Sequence, residues 1–386
     1  MRGAPEKSMV TRRVLIVPDK FKGTLAAPDV CAAIAKGWQS VRPRDRMELL
    51  PMSDGGDGFG AVMGELLSAR RRSVPTLDAA HRPVSARWWW QPEEKLAVIE
   101  AARVIGLALL PPGKFHPFAL DTFGLGRVLA AASRAGAGRC VVGIGGSATN
   151  DAGFGLARAL GWKFYDRAGT ELDQWWQATQ LYRVTPPREP SKLSLTVAVD
   201  VSNPLLGPRG CTRVYGPQKG LRPEEMAFAE KCLRRLSAVM EKQCGRALAA
   251  IPGAGAAGGL GFGLMAFAGA KAASGFDVFA GAAQLAARIR HADLVITGEG
   301  AVDRQSFMGK GVGRVAELCR RLEVPCVALA GVVNAPAAAA RFFARSAALT
   351  DLVTPDDARS RPQFHLQRLS AELAKNIERS TFNPKT

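Results

Sequence analysis

The chain has 386 residues, 47% of them apolar and 22% charged, and Lys and Arg outnumber Asp and Glu by 52 to 34, a formal net charge of +18. That length and apolar share predict two domains with sizeable cores and exclude a disordered or fibrous chain. The basic residues are scattered, the densest run being Arg70-Arg71-Arg72, and no zinc-finger, zipper or aromatic RNA-binding signature accompanies them. The charge is therefore read as an Arg-rich surface that helps to attract anionic substrates, with no nucleic-acid partner expected.

In chain order, VLIVPD (14–19) is a strand, and KFKGTLAAPDVCAAIAKGW (20–38) is a turn and helix that places Lys20 and Lys22 at the strand's C-terminal end. MELLPM (47–52) is a second strand ending in Ser53-Asp54-Gly55-Gly56-Asp57-Gly58. Carboxylates among glycines suit Mg²⁺ or the hydroxyls of a substrate, although a ligand-free Asp-Gly turn reads the same way. Residues 70–96 alternate as antiparallel strands, with Val84, Ala86, Trp88 and Trp90 on one face. A strand passing Glu100 into a helix comes next, followed by a helix over 127–135.

Cys140 to Gly155 is the stretch around which the chain is organised. A short apolar strand stops at Gly143 and gives way to Gly145, Gly146, Ser147, Thr149, Asn150 and Asp151, with a helix beginning near Phe154. Bare N–H groups in such a loop and at a helix start point at an anion, and glycine lets ligand oxygens approach without meeting a Cβ.

Further on, LTVAVD (195–200) is a strand ending at Asp200, and a Pro- and Gly-rich loop with Asn203, Gln218 and Lys219 follows. An amphipathic helix is predicted over 223–244, then the glycine-rich 253–261, then a strand and helix around 276–290. DLVIT (293–297) runs into Glu299 and Asp303 and, through Gly309-Lys310, into a helix over 311–322. A strand over 324–331, a helix over 337–345, a strand over 349–353 and a last helix over 363–379 complete the pattern.

Similar strand–helix ends around a different middle predict a discontinuous α/β domain, 1–56 with 285–386, and an inserted mixed α/β domain, 57–284. Seven cysteines without a C-x-x-C pair fit reduced thiols in a cytoplasm. The N-terminus has too short an apolar run for a signal peptide, and the uncharged stretch 253–270 is too rich in Gly and Ala for a membrane span, so no membrane role is expected.

Several strands ending in loops of carboxylates, lysines and glycines match phosphoryl transfer, in which a protein neutralises phosphate charge and positions the reactants. No G-x-S-x-G, Walker A or protein-kinase set is present, and none of the four histidines lies in a glycine loop. The rival is a Rossmann oxidoreductase, with Gly143-x-Gly145-x-x-Ala148 and Asp166 as its ribose-binding acid. A non-catalytic α/β binding protein is a third reading.

PDKFKGTL (18–25), PMSDGGDG (51–58), GIGGSATNDAGFG (143–155), NPLLGPRG with GPQKG (203–220), GAGAAGGLG (253–261) and TGEGAVDRQS with GK (297–310) together resemble, in order, the bacterial type-1 glycerate kinase family. Lys20 stands where that family usually has Ser, and Val104-Ile105 where it has a small pair. The resemblance implies a two-domain α/β fold, a Rossmann/flavodoxin-like discontinuous domain plus the insertion, with the active site in the cleft between them. It implies ATP- and Mg²⁺-dependent phosphorylation of D-glycerate to 2- or 3-phosphoglycerate by a cytoplasmic enzyme, with assembly into homo-oligomers left open. In that frame Lys22 and Lys219 contact the substrate carboxylate or the phosphoryl group, with Asn203 and Lys310 also binding, and the 145–151 loop holds phosphate or acid oxygens. Asp200 is the candidate base, and Glu299 with Asp303 competes against Asp54 with Asp57 for the metal.

Overall fold

The computed structural model describes residues 11–189, 192–307, 309 and 311–377. Its strands begin with β1 (Arg13–Ile16), β2 (Arg46–Leu49), β3 (Arg70–Leu77), β4 (Pro83–Gln91), β5 (Leu96–Glu100) and β6 (Arg139–Gly143). They continue with β7 (Lys163–Tyr165), β8 (Arg183–Thr185), β9 (Ser194–Ala198), β10 (Lys271–Ala273), β11 (Leu294–Val302), β12 (Cys326–Val333) and β13 (Arg345–Ala348). The chain forms two compact units, Met1–Ser53 with Ala280–Thr386, and Asp54–Phe279.

In the first unit a parallel sheet runs β13-β12-β11-β1-β2. Numbered within the unit this is the order 2-1-3-4-5 of flavodoxin-like folds, and the direction of winding reverses between β1 and β11. Val14, Leu15 and Ile16 of β1 are buried to a side, as a central parallel strand requires, and so are Leu294 to Ile296 of β11. Helix Ala27–Gln39, with Pro28 in its first turn, lies against helix Pro362–Asn376. The approach is so close that a Cβ on Gly37 would stand 2.1 Å from the Gln367 carbonyl oxygen. Ser370 closes the seam by donating to the Ile34 carbonyl at 2.7 Å.

The second unit is built on a six-stranded sheet, β10-β9-β6-β5-β4-β3. Strands β10, β9, β6 and β5 are parallel, and β4 and β3 add an antiparallel edge. One core gathers Ile99, Leu125, Val142 and Val197 around this sheet. A second packs helices Pro223–Cys244 and Ala256–Ala268 against Phe164 and Trp175. Strands β7 and β8 form a separate antiparallel ribbon.

Several expected elements differ. The strand expected to reach residue 52 pairs only to Leu49: Pro51 has no N–H to donate, while Leu50 and Met52 still donate to Ile16 and Pro18 carbonyls at 2.8 and 2.9 Å. Around 276–290 the chain forms two helices, Gly275–Ala282 and Leu285–His291, and the strand lies earlier, at β10. Near the C-terminus the helix stops at Phe342, Arg345–Ala348 becomes the edge strand, and Leu349–Asp351 is a 3₁₀ turn. The Ala-rich run favours helix locally, but the open edge of β12 pairs with Arg345–Ala348, and tertiary pairing outweighs propensity.

Candidate active site

Four parallel strands of the second unit end at one sheet edge, and most of the sequence-predicted polar residues of that unit sit there. Glu100 closes β5, the Gly143 to Asp151 loop follows β6, Asp200 follows β9 and Ser274 follows β10. The 54–58 loop lies against them: the Gly145 N–H donates to the Gly55 carbonyl at 3.1 Å, and a Cβ on Gly145 would meet the Gly56 Cα at 2.6 Å. Gly146, at φ +77°, lies beside Asp57, whose Oδ1 would be 2.4 Å from an added Cβ. Two glycine loops therefore interlock backbone to backbone, an arrangement that side chains would prevent.

Glu100 holds this ground from below, accepting from the Gly58 and Gly60 N–H groups at 3.0 and 2.9 Å. Asp54 turns its Oδ1 to the Gly56 N–H at 3.2 Å. Asp200 accepts from the Gly275 N–H at 3.1 Å and the Ser274 hydroxyl at 3.5 Å, at the start of helix Gly275–Ala282. The residue stands exposed on the rim, yet its carboxylate is crowded by these loops. Burial, then repulsion from Asp54, pushes its pKa up to about 7, against the pull of the Phe276 and Gly275 N–H groups and the Ser274 hydroxyl. At neutral pH this carboxylate can accept a proton.

Lys219 is buried, and its Nζ donates to Ser147 Oγ at 3.1 Å and the Thr149 carbonyl at 2.6 Å. Desolvation lowers its pKa to about 8, opposed by Cys211 and Asp151. Around it, Thr149 Oγ1 and Asn150 Oδ1 are buried without a hydrogen-bond partner among the described residues, although Asn150 Nδ2 donates to Thr212 Oγ1 at 3.2 Å. Buried polar atoms left open beside a lysine have the chemistry of a pocket for a small polar anion.

Asp151 faces inward. It accepts from Thr122 N and Oγ1 at 2.9 and 2.7 Å and from the Gly153 and Gly155 N–H groups at 3.2 and 3.0 Å, tying the loop to helix Phe123–Arg134. Burial and then Asp121 raise its pKa to about 6. Asn203 shapes its own loop, donating to the Arg209 carbonyl at 2.8 Å and accepting from the Tyr215 hydroxyl at 2.7 Å.

Sequence reasoning missed the segment that closes the pocket. Ala257, Gly258 and Gly259 interrupt the helix with positive φ, and a Cβ on Gly258 would stand 1.9 Å from the Thr149 carbonyl oxygen and 2.8 Å from Lys219 Nζ. The glycine run at 253–261 was the available signal. Ser274 and Gly275 carry no signal of their own, because the spacing after them predicts a strand where helix Gly275–Ala282 forms.

The remaining candidates belong to the first unit, at the point where β1 and β11 diverge. Exposed Lys22 follows β1, and its N–H would lie 3.2 Å from a Cβ on Gly300 of β11. Glu299 lies half-buried on β11, and Asp303 follows that strand, accepting from the Ser306 N–H at 3.0 Å. Lys310 lies outside the described residues. Among the described residues no three His, Cys, Asp or Glu side chains form a metal-holding group. None of the described helices is long and apolar enough to cross a membrane.

The dehydrogenase reading fails on geometry. Asp166 follows β7, which among the described strands pairs with β8 in the separate ribbon rather than with β6, and its Oδ1 accepts from the Thr170 N–H at 2.8 Å. The loop after Gly143 also runs to Gly153 before its helix begins, whereas the dinucleotide fingerprint opens one at once.

The model of the glycerate kinase family matches residues 14–378. The chain belongs to the glycerate kinase family. As a member it is an enzyme of the kinase class with a mixed α/β fold. A glycerate kinase of Bacillus subtilis (strain 168) is 36% identical over 326 residues, covering 83% of this chain and 85% of that protein. Glycerate 2-kinase of Escherichia coli (strain K12) is 35% identical over 323 residues, with 83% and 85% covered. A solved structure of glycerate kinase 2 from Salmonella typhimurium LT2 superposes with a TM-score of 0.82 at 30% identity, covering 95% of this chain and 98% of that one.

Proposed function

We propose that this kinase transfers the γ-phosphoryl group of ATP to a hydroxyl of D-glycerate, giving 2- or 3-phosphoglycerate. The observation that carries the reading is one sheet edge holding a carboxylate that titrates near neutrality and a buried lysine beside open polar atoms. Kinase-family membership supplies the reaction class.

The carboxylate of glycerate is assigned to Lys219 Nζ, with Thr149 Oγ1 and Asn150 turned to its oxygens and hydroxyls. Asp200 accepts the proton of the attacking hydroxyl, a role worth about 10²–10⁴ in rate. Burial first, then Asp54, keeps Asp200 basic, and the loop N–H groups around Gly145 and Gly146 offset negative charge on the transferring group. Asp151 holds the loop's shape, and Asn203 holds the mouth of the adjoining one. The donor chemistry fits a nucleotide with Mg²⁺: hard carboxylate oxygens from Asp54 with Asp57, or from Glu299 with Asp303, suit the ion, and Lys22 and Lys310 suit phosphate. When bound, the Mg²⁺ nucleotide supplies the phosphoryl group and neutralises its charge.

A coupled assay with ATP, Mg²⁺ and D-glycerate, its product resolved by ³¹P NMR, tests this. A phosphoglycerate resonance is expected, and its chemical shift separates the 2- from the 3-product. ADP release no faster than without glycerate would reject the acceptor.

A further inference from the structure

A concavity of about 430 Å³ opens on the antiparallel edge of the second unit, lined by Arg71, Arg87, Arg103, Trp89, Glu65 and neighbouring small residues. Its size falls within the usual range for small-ligand sites, about 300–1,000 Å³. Strand register builds it. Arg71 pairs with Trp89 and Ser73 with Arg87, so Arg71, Arg87 and Trp89 project from one face of β3 and β4, the arginines as diagonal neighbours.

The wall is rigid. Gly60 and Gly64 of helix Phe59–Leu66 lie on the Trp89 indole, where added Cβ atoms would stand 2.0 and 2.1 Å from ring atoms. The Arg103 guanidinium is held 5.5 Å over the same ring, with its Nε 3.2 Å from Glu100 Oε2.

The charge is only partly compensated: three arginines line the concavity against the single lining carboxylate of Glu65. Arg103 is paired with Glu100, but among the described residues the side chains of Arg71 and Arg87 have no hydrogen bond, ion pair or ring contact. Guanidinium groups gathered in a concave wall repel one another unless an anion joins them, and their planar forks match phosphate oxygens. The hollow suits a compact anion rather than an extended polyanion, which would need a continuing basic track.

We propose that this concavity binds a small phosphate-bearing anion, held by the Arg71 and Arg87 guanidinium groups against the Trp89 and Arg103 wall. The proposal is independent of the phosphoryl acceptor named above. Inorganic phosphate, titrated calorimetrically into the full-length protein at constant ionic strength, tests it. The wild type should take up one more phosphate per chain than Arg71→Ala/Arg87→Ala, or bind it at least about tenfold more tightly, the size of a lost charge-assisted contact. Arg71→Lys/Arg87→Lys, which keeps the charge and loses the forks, should fall between them.

A control pair, Arg290→Ala/Arg321→Ala, removes the same charge from exposed positions elsewhere. Isotherms that superimpose for wild type and Arg71→Ala/Arg87→Ala overturn the proposal, as does equal weakening in the control pair or the absence of phosphate uptake by the wild type. Glycerol 2-phosphate then fixes the source: binding about tenfold tighter than phosphate identifies an organic phosphate, and equal binding identifies the free anion.

Discussion

Asp200 takes its chemistry from groups far from it in the chain. Burial, then repulsion from Asp54, outweighs donation from the Gly275 and Phe276 N–H groups and leaves it titrating at about 7. Because the group must be ionised to accept a proton, kcat/KM should rise with pH through about 7. Asp200→Asn should remove that limb and lower kcat by about 10²–10⁴ with an unchanged circular dichroism spectrum. A variant that kept wild-type turnover would take the base role away from Asp200. Lys219 sets the opposite limb. Its pKa is lowered to about 8, so the charge that holds the substrate carboxylate is lost as pH rises through that value, and KM for glycerate should climb there. Lys219→Met should raise KM by about tenfold or more at pH 7 and abolish the alkaline rise. Steady-state profiles of both variants check the pair.

At the scale of elements, the glycine-rich 256–268 helix is a wrap around the 143–151 loop rather than a regular rod. Gly258, at φ +72°, touches the Thr149 carbonyl and Lys219 at distances only hydrogen can occupy. Gly258→Ala adds backbone strain to a clash with main chain, and should cost more than about 2 kcal/mol in chemical denaturation while also raising KM. An alanine that left both unchanged would mean the loop can retreat without consequence. Most elements here were legible in the sequence because their apolar spacing is strong: Pro223–Cys244 appears with its expected ends, and Leu15 and Val295 mark buried parallel strands. The C-terminal edge was not legible, because an alanine-rich segment carries little periodicity and the open side of β12 decided its state.

At the scale of the whole molecule, the net charge of +18 has no single focus in the chain. Spread charge raises the local concentration of anionic substrates, and salt screens it over a Debye length of about 10 Å at 0.1 M. Raising NaCl from about 0.02 to about 0.2 M should therefore increase KM for glycerate severalfold with kcat little changed. An unchanged KM would show that steering by net charge plays no part.

The sequence alone determined the class of the protein: α/β alternation, glycine loops after strands and ordered motifs are local properties that survive in a linear reading. It also brought Asp200, Lys219 and the 145–151 loop into view as candidates. Only the tertiary structure decided which of those side chains look outward and which are consumed inside. Asp151 is enclosed by four internal donors, and Asn203 binds its own loop, while Asp200 meets Asp54 and Lys219 meets Thr149. The physical reason is that hydrogen-bond partners and pKa values depend on distances between groups tens to hundreds of residues apart, and spacing along the chain carries no such distance.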